Sequence, residues 1–126
     1  MEKIMIIYHP SNKKFTIVKT KYFGQNYYTK NDVKASGVKR TFWYLKYPIP
    51  EDRFTNSQFT YVAKVRKKRI YDLRKDKRHL VEKYQTIDKL LRYLKKHYLG
   101  IRYNVLNWDL IVIFQNIKPI KVIERT

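Results

Sequence analysis

Short apolar runs with strand-like patterning recur along this chain, and they limit its possible folds more than any other feature. Each run is shorter than a typical helix, and several end at proline or polar residues, which favours strands. The clearest run, residues 58–66, places Phe59, Tyr61, Ala63 and Val65 on one face of a strand. The predicted strands are residues 3–8, 41–47, 58–66, 109–115 and 118–124, with a further short extended segment at 14–19.

One segment, residues 86–98, has helical periodicity instead. Its apolar residues recur at helical spacing and form a single stripe. The stripe consists of Ile87, Leu90, Leu91, Leu94 and Tyr98. Thr86 is a predicted N-cap, Asp88 lies near the positive helix end, and Gly100 is a predicted residue of the C-terminal cap. Many strands with one clear helix predict a single α+β domain over residues 1–126, with Trp43 and Trp108 in its core.

The net charge predicts polyanionic partners. Lys and Arg number 29 against 10 Asp and Glu, which leaves +19 at neutral pH. DNA or RNA is the first candidate, and an acidic protein or an anionic substrate is the second. The densest basic stretch is residues 64–79, where tyrosines that could stack on bases are interleaved. The alternative interpretation of this basic stretch is an exposed strand edge whose lysines are solvated. The predicted nucleic-acid-binding residues are Lys64, Arg66, Lys67, Lys68, Arg69 and Arg74.

Several classes of protein are excluded by what the sequence lacks. Without cysteine there is neither a disulfide framework nor a thiolate metal site, and the three histidines lack metal-ligand spacing. No P-loop, dinucleotide-binding glycine motif or nucleophile elbow occurs. No apolar run is long enough to span a membrane, and the first apolar run is too short for a signal peptide. We therefore expect a cytoplasmic protein without a membrane partner.

Four short motifs follow one another in a suggestive order. They are Y-H-P-S at 8–11, F-G-Q-N-Y-Y at 23–28, V-A-K-V-R-K-K-R-I-Y-D-L at 62–73 and W-D-L-I-V at 108–112. Together they resemble the ADP-ribosyltransferases of the His-Tyr-Glu class, typified by poly(ADP-ribose) polymerases and diphtheria-type toxins. The resemblance runs over residues 4–125. It implies a small split β-sheet and NAD as co-substrate. ADP-ribose would pass to a macromolecule, with nucleic acid favoured over protein, in a toxin or phage effector that an acidic antitoxin could bind.

The resemblance also implies a set of NAD-binding residues. His9 would hydrogen-bond the adenosine-side ribose, and Tyr28 would stack on the nicotinamide ring. Gly24 would let the backbone approach the ligand closely. The hydroxyls of Ser11 and Ser36 would contact a ribose or the nicotinamide amide.

The same resemblance implies one catalytic residue, Asp109, whose carboxylate would stabilise positive charge on the ribose as nicotinamide leaves. The chain departs from the class in two ways: Pro10, which has no N–H, replaces a glycine, and Asp109 replaces a glutamate. On residue type alone, His9 could be a turn histidine, Tyr28 a core aromatic and Asp109 a strand-start residue. Two alternative functions are non-enzymatic nucleic-acid binding through the basic surface and an RNase-type toxin.

Overall fold

The computed structural model of the protein describes residues 2–22, 38–47, 57–105 and 108–125, with only the backbone described for Val105 and Trp108. These residues form seven strands and two α-helices. The strands are β1 (Ile4–Ser11), β2 (Thr41–Tyr44), β3 (Phe59–Arg66), β4 (Ile70–Asp72), β5 (Gly100–Val105), β6 (Trp108–Ile113) and β7 (Lys121–Glu124). The helices are α1 (Leu80–Tyr84) and α2 (Ile87–His97), with 3₁₀ turns at Thr20–Tyr22 and Lys67–Arg69. Neither α-helix is long and apolar enough to cross a membrane.

All seven strands belong to one sheet, in the order β4-β5-β6-β2-β1-β3-β7. The β4–β5 pair is parallel, since the chain returns through both helices between these strands, and the other pairs are antiparallel. The sheet and its long helix agree with the predicted α+β class. The resemblance implied a split β-sheet, whereas the strands of the described residues form one sheet. A single registered pair, Tyr8 with Tyr44, joins β1 to β2, a boundary that we call the β1–β2 seam.

One side of the sheet, which we call the helix face, packs against α2. Leu90, Leu91 and Leu94 are buried there against Ile101 of β5 and Val112 of β6. The predicted helix is therefore confirmed, with its apolar stripe in the core. Ile87, the first residue of the stripe, is not part of the core, since 61% of its surface is exposed.

The opposite side, the far face, carries a second apolar core. Trp43 and Tyr61 are completely buried in it together with Ile7. The core role predicted for Trp43 is thus confirmed. Residues 14–19, predicted as a short extended segment, do not form a strand. Val18 forms an isolated bridge with Ile117 and packs in this core.

Both ends of α2 differ from the sequence prediction. Thr86 occupies the N-cap position, but its side chain makes no capping bond to the backbone and instead hydrogen-bonds the Asp88 carboxylate. Gly100 is not part of a C-terminal cap, because the helix ends at His97 and Gly100 opens β5. A Cβ atom on Gly100 would overlap the Val112 carbonyl oxygen of the neighbouring strand. Glycine is therefore needed there for close approach of two strands.

Helix α1 was not predicted, and a single carboxylate explains how so short a helix begins. Asp76 accepts hydrogen bonds from the backbone N–H groups of Leu80 (2.8 Å) and Val81 (3.1 Å), and the Tyr71 hydroxyl donates a third (2.5 Å). These bonds satisfy donors that the first turn of a helix leaves without partners. Burial opposes ionisation, but these bonds keep the pKa of Asp76 below its ordinary value.

Candidate anion-binding cleft

Four charged side chains form a chain of ion pairs across β4, β5 and β6. Arg102 donates to both oxygens of Asp109, from Nε to Oδ1 at 3.0 Å and from Nη2 to Oδ2 at 2.5 Å. Arg74 donates to both oxygens of Asp72, at 2.9 and 2.7 Å. Nη1 of Arg74 lies 3.7 Å from Asp109 Oδ2, which links the two pairs.

Strand register places these groups together. Asp72 lies opposite Arg102 in the parallel pair, and Asn104 lies opposite Asp109 in the antiparallel pair. Arg102 and Asp109 are therefore diagonal neighbours on the far face, within reach of a long side chain. The hydrogen bonds from Arg74 lower the pKa of Asp72 despite its partial burial, so this carboxylate stays ionised at neutral pH.

A cleft of about 380 Å³ opens beside this ion-pair chain. Its lining residues are Lys67, Asp72, Arg74, Lys75, Lys77 and Arg102. Five basic side chains thus face two carboxylates, counting Asp109 with Asp72, and three positive charges remain. Lys75 and Lys77 have no acidic partner within the described part of the chain. The cleft therefore carries a net positive charge, which favours an anion over a cation.

The two arginines of the cleft are each held in place by a carboxylate. Each guanidinium group presents five N–H donors in a fixed plane. Arg102 uses its Nε and Nη2 side on Asp109, and Arg74 uses the same side on Asp72. The carboxylates fix the planes of both guanidinium groups, and Nη1 of Arg74 is the group that faces Asp109.

The predicted basic residues fall into two groups. Lys67 and Arg74 line the cleft. Lys64, Arg66, Lys68 and Arg69 are exposed outside it. Glu2 partly neutralises two of these, since its Oε1 lies 3.3 Å from Arg66 and 3.6 Å from Lys68.

Three basic residues of the cleft were not singled out from the sequence, Lys75, Lys77 and Arg102, and neither was the acidic residue Asp72. The first two lie within the basic stretch but after its predicted strand. Arg102 lies on β5, which was itself not predicted. The alternation of Ile101 and Tyr103 with Arg102 and Asn104 is the signal that could have found it.

His9 lies on the far face, beside the β1–β2 seam. Its Nδ1 donates to the Phe42 carbonyl oxygen at 2.7 Å, since a carbonyl can only accept. Its ring lies 5.2 Å from the Trp43 ring. Burial lowers the pKa of His9, which favours a neutral ring with its other nitrogen, Nε2, as an acceptor. Ser11 accepts a hydrogen bond from the Lys13 backbone N–H at 3.1 Å.

The other predicted NAD-binding residues, Gly24, Tyr28 and Ser36, lie outside the described residues. His9 and Asp109 share the far face, because His9 is level with Trp43, which pairs with Ile111 two residues after Asp109. Strand geometry places their Cα atoms about 12 Å apart. Neither His9 nor Ser11 is among the residues that line the cleft described above.

Comparison with known proteins finds no matching family model, curated protein or solved structure.

Proposed function

We propose that this protein binds nucleic acid and that the basic cleft holds the phosphate backbone. The observation that carries the proposal is the excess of three positive charges in one cleft, beside two arginines fixed by carboxylates. Phosphate contacts by Lys and Arg supply most of the sequence-independent affinity for nucleic acid. The overall charge of +19 adds long-range attraction of a polyanion towards the protein.

The cleft suits phosphates better than a carboxylate-bearing small molecule. Lys75 and Lys77 act as mobile point charges, whereas Arg74 and Arg102 offer oriented N–H groups. A chain of phosphates could contact both kinds of residue in succession. Lys67 extends the same basic surface. Among the described residues, those that line the cleft include no aromatic ring to stack on a base, so we expect contacts here to be independent of sequence.

The test is equilibrium binding of fluorescent oligonucleotides, followed by anisotropy across a salt series. The double variant Lys75→Gln/Lys77→Gln should bind more weakly. The slope of log K against the logarithm of the salt concentration should become less steep by roughly one unit for each lost phosphate contact. The matched control is Lys95→Gln/Lys96→Gln, which removes the same charge from exposed positions on α2.

Equal weakening of both double variants would show that only net charge matters, and would contradict a role for the cleft. Absence of salt-dependent binding by the wild type would contradict the function itself. An acidic protein partner would then become the better occupant of the cleft.

A second function, NAD-dependent ADP-ribosyl transfer to nucleic acid or protein, is supported by the position of His9 and Asp109 on one face of the sheet. His9 retains Nε2 as an acceptor for a ribose hydroxyl. NAD⁺ would supply the ADP-ribosyl group. The ion pair with Arg102 counts against this function, because a carboxylate already neutralised stabilises a new cation less.

Labelled NAD⁺ tests the second function directly. Transfer of label to DNA, RNA or lysate protein by the wild type, and not by Asp109→Ala, would support it. Asn104→Ala, on the neighbouring position of β5, is the matched control. Absence of both transfer and nicotinamide release would contradict it. Cleavage of RNA without NAD⁺ would instead favour an RNase.

A further inference from the structure

Two tyrosines form a stacked pair on the helix-face side of the seam. The rings of Tyr8 and Tyr47 lie 5.6 Å apart with planes inclined by 29°. Tyr8 packs against buried Tyr44 and Leu110, so its ring has a fixed support. Tyr47 is 49% exposed. We call this pair the tyrosine ledge. Its outer ring, that of Tyr47, is half exposed and stacks on Tyr8, which packs against the buried core.

The surroundings of the ledge combine apolar surface with positive charge. Ile6, two residues before Tyr8 on the same strand face, is 44% exposed. Lys64 of β3 lies directly opposite Ile6 and is exposed. Lys46, the neighbour of Tyr47, is also exposed. Strand pairing thus places Ile6 and Lys64 on the same face as Tyr8, and no acidic residue is paired with Lys46 or Lys64 in the described ranges.

We propose that the tyrosine ledge stacks an unpaired base, so that the protein prefers single-stranded nucleic acid. This inference rests on the proposed nucleic-acid function and gives it a substrate class. An exposed ring stacks on the face of any base, while nearby lysines contact the flanking phosphates. Bases in a duplex are already stacked on each other and cannot lie on a flat ledge. The ledge therefore distinguishes single-stranded from duplex nucleic acid, whereas the cleft contacts the phosphates of both.

The ledge and the cleft lie on opposite sides of the sheet. Tyr8 projects to the helix-face side, and Arg102 projects to the far face. Loss of the ledge therefore leaves the cleft intact, and the two sites can be tested separately.

The experiment compares binding of a labelled pyrimidine single strand and a duplex hairpin, at fixed salt, by wild type, Tyr47→Ala and Tyr47→Phe. We expect Tyr47→Ala to weaken single-strand binding about tenfold and to leave duplex binding within about twofold, with Tyr47→Phe close to wild type. The salt slope should not change, since the ring carries no charge. Tyr84→Ala is the matched control, because Tyr84 also stacks on a tyrosine, Tyr93, at 4.7 Å, but on the helices.

Photocrosslinking gives a second readout. A single strand containing 5-iodouracil should crosslink to the peptide that contains Tyr47. Single-strand binding by Tyr47→Ala equal to wild type, or an equal loss for duplex and single strand, would overturn the ledge and leave the proposed function standing. A wild type that binds neither form would overturn the function and the ledge together.

Discussion

Asp109 and Arg102 form a two-point ion pair between neighbouring strands, with Nε–Oδ1 and Nη2–Oδ2 distances of 3.0 and 2.5 Å. The carboxylate therefore occupies one side of a guanidinium group that borders a basic cleft. Asp109 acts on the cleft in two opposite ways: it fixes the plane of Arg102, and it reduces the positive charge that an anion meets.

The charge effect should dominate in the variant Asp109→Asn. The amide side chain would keep one acceptor oxygen for Arg102, while the negative charge beside the cleft would be lost. We expect nucleic-acid affinity to rise several-fold at low salt, with the gain shrinking as salt screens the charge. Loss of the partly exposed ion pair should cost at most about 1 kcal/mol of unfolding free energy. Anisotropy and urea unfolding measure the two effects, and weaker binding with an unchanged fold would show that orientation of Arg102 matters more.

His9 should make the stability of the protein depend on pH. Burial lowers the pKa of His9 in the fold, so below pH about 6.5 the unfolded chain binds more protons than the folded one. The unfolding free energy should therefore fall as pH is lowered from about 7.5 to about 5. His9→Gln should reduce this slope, while His97→Gln, at an exposed position on α2, should retain it. Urea midpoints at several pH values provide the measurement, and equal slopes for wild type and His9→Gln would contradict the prediction.

Gly100→Ala should destabilise the sheet strongly for so small a change. The added methyl group would overlap the Val112 carbonyl oxygen and approach the Ile113 side chain, so β5 and β6 must move apart. We expect a loss of about 1–3 kcal/mol in unfolding free energy. Asn104→Ala, at an exposed position on the same strand, should change it much less. Thermal unfolding of both variants tests the difference, and a Gly100→Ala midpoint equal to wild type would show that the strands separate without cost.

Asp76→Ala should weaken α1 and its attachment to the sheet. The carboxylate caps two N–H groups and accepts a bond from Tyr71, so we expect a loss of about 0.5–2 kcal/mol. Because the pKa of Asp76 is lowered in the fold, its contribution is present above pH about 4 and is lost as pH falls further. Urea unfolding should show the largest difference from wild type near neutral pH. Glu82→Ala, exposed on α1, is the control, and an equal loss for both variants would argue against the cap.

The elements that the sequence predicted have apolar residues that repeat with a clear period or form a short apolar run, as in residues 3–8 and 109–115. Residues 86–98 and 58–66 fit one period each, and both became regular elements. By contrast, β5 was missed because its far-face positions, Arg102 and Asn104, are polar, and its role depends on β6. Helix α1 was missed because its start depends on a carboxylate held by Tyr71 of β4, a tertiary contact that local propensity cannot reveal.

The cleft was predictable only in part, since charge density along the chain does not say which charges meet in space. Lys67 and Arg74 were found from the basic stretch, whereas Arg102 joins them through strand pairing. The partners that neutralise charge, such as Glu2 beside Arg66, are equally invisible in the linear pattern. The ledge likewise depends on a contact between Tyr8 and Tyr47, which are far apart in sequence.

The β1–β2 seam divides the sheet into two groups of strands, β4-β5-β6-β2 and β1-β3-β7, that are joined by one registered pair. In the described part of the chain every other strand boundary is closed by three or more registered pairs, against one at the seam. We therefore expect that bending of the sheet would change the angle between strands most at the seam. His9 lies on one side of the seam and Asp109 on the other, so such bending would change the distance between these two residues.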